Sequence, residues 1–118
     1  MAKILCVKDV ACYHFLGQVS FDEVAEKIQE FLLKEPFKNS IWDYRGADID
    51  FTEEELQAFA DYVRSFGKHK EGGKAVIIAP TGYKYDLATS FLAHAHDSPV
   101  EIRIFQDMEE AVRWLAGD

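Results

Sequence analysis

Among the residues able to do chemistry, the stretch Ala79-Pro80-Thr81-Gly82-Tyr83-Lys84-Tyr85-Asp86 offers the most concentrated set. Gly82 permits close backbone approach, Lys84 offers a cation, and Tyr83 and Tyr85 offer flat amphipathic surfaces. The stretch follows an apolar run and opens a helical pattern, which is where open α/β sheets hold their ligands. It is not a Walker loop, having no Gly-Lys-Ser/Thr, and no GxGxxG occurs anywhere in the chain. The same residues also read as an ordinary strand-to-helix turn whose aromatics cover a sheet edge.

A second set is acidic: Asp43, Asp48, Asp50 and Glu53 to Glu55. Hard oxygen ligands suit Mg²⁺ or Ca²⁺, but the EF-hand order of spaced Asp, Gly and a bidentate Glu is missing. A charged helix start, favoured by the macrodipole, accounts for most of these residues without an ion. Asp86, Ser90 and His94 recur at i, i+4 and i+8 and so share a helix face, a superficial acid–nucleophile–base set. A mid-helix Ser has its neighbouring N–H groups tied up in the helix, which leaves no oxyanion hole. His94 and His96 point about 200° apart on a helix and cannot easily share one ion. His14 falls on a strand and His69 in a loop, so the histidines predict no metal site. Cys6 and Cys12 lack CxxC spacing; they could face each other across a hairpin, but in a reducing compartment they read as two buried thiols packing as small hydrophobes. With no nucleophile–base pair, metal set or cofactor loop, the chain is expected to be no enzyme and to need no cofactor.

The elements that must position these residues follow from periodicity. Residues 3–8 form a short apolar strand, and residues 11–19 alternate, with Tyr13, Phe15 and Val19 opposite Cys12, His14 and Gln18. So few residues separate the two that they predict an antiparallel hairpin. Ser20-Phe21-Asp22-Glu23 fits a capping box and opens a helix with Val24, Ala25, Ile28, Phe31 and Leu32 on one stripe. Ile41-Trp42-Asp43-Tyr44 is a short strand. A second capping box, Thr52-Glu53-Glu54-Glu55, starts a helix carrying Leu56, Phe59, Ala60 and Val63, with Phe66 at its exit. Gly67 to Gly73 reads as a helix exit and a loose loop. Ala75 to Ala79 is apolar on both faces, as a strand covered on both sides would be. A helix with Leu87, Ala88, Phe91, Leu92 and Ala95 follows, then alternating Val100, Ile102 and Ile104, then a short helix capped by Asp107. The order ββαβαβαβα predicts an α/β fold with a mixed, mostly parallel five-stranded sheet.

At 118 residues the chain fits one domain, and 48% hydrophobic content supplies its core. No stretch approaches the roughly 18 uncharged apolar residues of a membrane span. The N-terminal run is broken by Lys8 and Asp9 and reads as a strand, not a secretory segment, so a cytoplasmic protein is expected. A net charge of −8 argues against nucleic acid and anionic lipid surfaces as partners.

The closing segment, Ile102-Arg103-Ile104-Phe105-Gln106-Asp107 through Glu110-Ala111-Val112-Arg113-Trp114-Leu115, resembles the C-terminal phrase of the bacterial SpoIIAA-like family of STAS-like domains. There a strand ends in Phe-x-Asp and leads into a helix with Glu-Ala and Trp-Leu. Trp42-Asp43-Tyr44-Arg45-Gly46-Ala47 resembles the same family's strand end. The resemblance implies a single STAS-like domain over residues 1–118 acting as a regulatory or protein-interaction module, through a protein partner or self-association. In anti-sigma antagonists of this fold a phosphorylatable Ser or Thr opens the helix after the Asp-bearing strand, and the matching position is Thr52. Phe51, Glu53 and Glu54 depart from the family's pattern. Repulsion between a phosphate and five nearby carboxylates should outweigh a dipole term of about 1 kcal/mol, so Thr52 reads as a plain N-cap. The binding candidates are therefore Asp43, Thr52, Glu53 and Glu54, together with Thr81, Gly82, Tyr83, Lys84 and Tyr85. The alternative is a carrier or sensor of a small apolar or anionic ligand, related to SEC14-like domains, with Trp42, Tyr44, Phe91 and Phe105 lining a pocket at the sheet's carboxyl edge.

Overall fold

A computed structural model of the chain describes the backbone of residues 3–7, and residues 9–80 and 82–117 in full. Its elements are β1 (Lys3–Val7), β2 (Val10–Gln18), α1 (Phe21–Lys34), β3 (Asn39–Asp48), α2 (Glu53–Phe66), a 3-10 turn (Gly67–Lys70), β4 (Lys74–Ile78), α3 (Tyr83–His94), β5 (Glu101–Phe105) and α4 (Met108–Leu115). The strands lie side by side in chain order. β2, β3, β4 and β5 run parallel, and β1 pairs antiparallel with β2. The chain is thus an α/β fold with four helices. Asp9 turns the hairpin at φ 64°, a left-handed conformation that Asp tolerates better than most residues.

Parallel neighbours need crossovers, and α1, α2 and α3 supply them on one face of the sheet. The stripe of α1 is the one its periodicity predicts: Val24, Ala25, Ile28, Phe31 and Leu32 are buried. It packs with Leu56 and Phe59 of α2 on Ala11, Tyr13, Phe15 and Trp42. Because side chains alternate along a strand, Val10, Cys12, Ile41, Val76 and Ile78 point the other way, where α4 covers them. The helices start where their caps predict. Thr52 and Glu55 complete a reciprocal capping box at 3.0 and 3.1 Å. Ser20 Oγ accepts from Glu23 N, and Asp107 accepts from Glu110 N.

Three expectations need correction. The strand expected at Ile41–Tyr44 extends through Asp48, because parallel pairing with the long β2 carries it past Gly46, with a shift of register between His14 and Leu16. The stretch after α2 is not loose. Lys70 is 4% exposed; its ammonium donates to the carbonyls of Glu35 and Phe37 and lies 4.4 Å from the centre of the Phe31 ring. Those carbonyls belong to the exit from α1, so the lysine ties that exit to the 3-10 turn. Burial pushes its pKa down. Finally, Cys12 is disulfide-bonded rather than a packed thiol. The sequence holds one other cysteine, Cys6, whose side chain lies outside the described residues.

Candidate functional site

An apolar cavity of about 90 Å³ lies between the sheet and the three crossover helices. It reaches from Ser40 and Ala75, near the amino ends of β3 and β4, to Tyr44 in the middle of β3 and to Ala79 and Lys84 just past the carboxyl end of β4. That is a strand length of about 13 Å. Its origin is a step in side-chain height. On β2 and β3 large rings lie nearly parallel: Tyr13 on Trp42 at 4.4 Å, and Phe15 on Tyr44 at 4.9 Å. Beside them β4 presents Ala75 and Ile77, followed by Ala79, and α3 faces these with Ala88 and Phe91. Helices resting on the tall aromatic side cannot also close on the low alanine side, so space remains. Trp42, Tyr44 and Phe91 line it, as the sequence suggests. Phe105 does not: it lies on the opposite face of the sheet, against Trp114 at 5.8 Å. The alternation that sends Ile102 and Ile104 toward the helices turns Phe105 away.

The polar atoms around the cavity are few. Trp42 Nε1 donates to Ser40 Oγ at 2.8 Å, so these two satisfy each other. Burial pushes the Tyr44 phenol well above its usual range, which keeps it protonated. Lys84 Nζ donates to the carbonyl of Arg45 at 2.9 Å.

The β4–α3 loop and the start of α2 meet. Tyr83 donates its hydroxyl to Asp50 Oδ1 at 2.8 Å, and this bond to a carboxylate raises the phenol's pKa. Ser90 Oγ and His94 Nε2 both bind Glu53, at 2.8 and 3.0 Å. The bond from His94, and then that from Ser90, holds the Glu53 carboxyl below its usual range. This arrangement is not an acyl-transfer triad: the hydroxyl and the imidazole share one carboxylate instead of contacting each other. Glu54 is exposed in the first turn of α2, and Thr52 is occupied as its cap. Tyr83 and Tyr85 are 56% and 41% exposed. Gly82 sits at φ 88°, ψ −146°, a region open chiefly to glycine, and a Cβ there would meet nothing. The turn needs this glycine for its backbone angle. Thr81 lies outside the described residues.

Asp43 stands apart from these residues, on the α4 face of the sheet. Its carboxylate accepts from Arg45 Nε at 2.9 Å and Nη2 at 2.8 Å, from Arg45 N at 3.0 Å and from His14 Nδ1 at 2.9 Å. A carboxylate only accepts, so the His14 Nδ1 carries hydrogen. Burial alone would raise the Asp43 pKa; the bonds from the Arg45 side chain and backbone, and then from His14, together hold it below the usual range. His14 and Arg45 escape a motif search. The available signal was Asp-x-Arg on a strand, since residues two apart share a face. Among the described residues no group of three or more His, Cys, Asp or Glu is placed to hold a metal ion. No helix among them is long and apolar enough to cross a membrane.

Comparison with protein families, curated proteins and solved structures finds no match for the chain.

Proposed function

We propose that the protein is a non-enzymatic binding module that holds a small, largely apolar ligand between its sheet and its crossover helices. One observation carries this reading: the roughly 90 Å³ of open apolar space between the sheet and the crossover helices. Native interiors seldom leave such space, and an engineered apolar cavity of roughly 150 Å³ takes up benzene. Hexan-1-ol provides the test. On titration, backbone amide signals of Ile77, Ala79 and Ala88 should shift together, and Ala88→Phe, which fills the space, should abolish the shifts while the fold persists. Unmoved signals in the wild-type protein would overturn the reading.

The element order and the resemblance of the closing helix to SpoIIAA-like sequences support a regulatory, STAS-like setting for this binding. A second reading, contact with a protein partner, draws on the exposed Tyr83 and Tyr85 beside Glu54 at the start of α2. Self-association through this surface would make the sedimentation coefficient rise with concentration, and Tyr85→Ala would remove the rise. Phospho-switching at Thr52 finds no support, because the hydroxyl is already the cap of α2.

A further inference from the structure

The cavity wall between the middle of β3 and the first turn of α3 carries two polar groups whose hydrogen-bonding capacity the described residues do not fill. Tyr44 has no hydrogen bond among the described residues, although it lines the cavity. Lys84 has three donors and spends one, on the Arg45 carbonyl. It has no carboxylate partner among the described residues, in a chain whose net charge is −8. That carbonyl belongs to the residue after Tyr44, and Lys84 and Tyr44 both line the cavity. Here too α3 begins at Gly82 with no side-chain cap, so its first N–H groups add positive potential. Three acids of the neighbouring elements are engaged elsewhere: Asp50 by Tyr83, Glu53 by Ser90 and His94, and Asp43 by Arg45 and His14 on the opposite face, while Asp86, in the first turn of α3, is exposed.

We infer that the ligand is a short amphipathic monocarboxylate, its apolar body between Trp42, Ile77 and Ala88 and its carboxylate on the Lys84 ammonium and the Tyr44 hydroxyl. The inference rests on the cavity-binding reading and adds the head group to it. A carboxylate suits this end because it accepts from both donors at once and neutralises an ammonium that no protein acid pairs. A neutral alcohol would leave that ammonium unpaired. A phosphate dianion would bring a second charge with no second cation to meet it. The open space is smaller than the cavity of roughly 150 Å³ that accepts benzene, so the body is a few carbons or one ring, not a full acyl chain.

Calorimetric titration of the full chain with hexanoate and with hexan-1-ol at neutral pH tests the head group separately from the cavity. Hexanoate should bind about tenfold more tightly than hexan-1-ol, the worth of one charge-assisted hydrogen bond. Lys84→Met should bring hexanoate down to the level of hexan-1-ol and leave hexan-1-ol unchanged, which also certifies that the variant is folded. Tyr44→Phe should cost hexanoate a further, smaller factor of about three. Equal binding of the two probes to the wild type, or a preference that survives Lys84→Met, overturns the head-group assignment while the cavity reading stands. Binding of neither overturns both.

Discussion

The two faces of the sheet solve the same packing problem with opposite materials. The face under α1, α2 and α3 uses large rings, among them Tyr13, Phe15, Trp42 and Tyr44, and is left with open space. The face under α4 uses chiefly small and branched strand side chains, Val10, Ile41, Val76 and Ile78, with the Phe105–Trp114 pair beside them, and packs on Ala111, which is fully buried. But α4 has eight residues and spans only about 12 Å. Beyond its reach the α4 face of β2 and β3 carries His14, Asp43 and Arg45 in place of a hydrophobic layer. Bulky aromatics fill a layer unevenly and leave room for a guest. Small branched residues fill it well, but only as far as a helix covers them.

Breaking the polar end of the α4 face should have the largest effect. Asp43→Ala leaves His14 and Arg45 facing an empty site and should cost about 2–3 kcal/mol in urea unfolding, below the usual figure for a buried pair because Arg45 is partly exposed. The pH dependence has a fixed sign. The folded-state pKa of Asp43 is depressed below 3.8, so its contribution is present above that pH and is lost as the pH falls through the folded value. The stability advantage of wild type over Asp43→Asn should therefore be full at neutral pH and shrink toward zero in strong acid. An advantage independent of pH would remove the carboxylate from the account.

Next comes Lys70. Lys70→Met keeps the aliphatic stem on Phe31 but strands the carbonyls of Glu35 and Phe37, at a cost of about 2 kcal/mol by the same measurement. The sharpest comparison between the faces is a matched pair of enlargements. Ala111→Leu should overpack the α4 face and cost about 1–3 kcal/mol, whereas Ala88→Leu enters open space and should change stability by less than about 0.5 kcal/mol. Equal costs would mean that the faces are equally full. The smallest effect is at the α2 cap, where Thr52→Ala should cost about 1 kcal/mol in thermal unfolding.

Much of this architecture was legible in the residues. The stripe of α1, the Thr52–Glu55 box and the Asp107 cap are local patterns, and local patterns are what a sequence displays directly. The opposed faces of β2 followed from simple alternation. What escaped depends on contacts across long stretches of chain. Lys70 meets carbonyls more than 30 residues away, and His14 meets Asp43 across 29. The cavity is a mismatch in height between neighbouring strands, which exists only once their order and register are set. The aromatic character of Phe105 suggests a pocket wall, but its place one residue after Ile104 turns it to the other face of the sheet. The residue types of the β4–α3 loop mark it as a candidate, yet Tyr83 faces Asp50, and of its described binding candidates Lys84 alone lines the cavity.

The placement of the two tryptophans gives the molecule a built-in optical readout. Trp42 is buried on the cavity floor, stacked on Tyr13 with its indole N–H fixed to Ser40, while Trp114 lies under α4 with Lys74 and Arg103 over its ring. Each indole therefore reports on one side of the sheet. Intrinsic emission from a Trp114→Phe protein would follow events in the crossover layer alone, and emission from Trp42→Phe would follow those under α4, so the two sides can be watched separately as the chain unfolds.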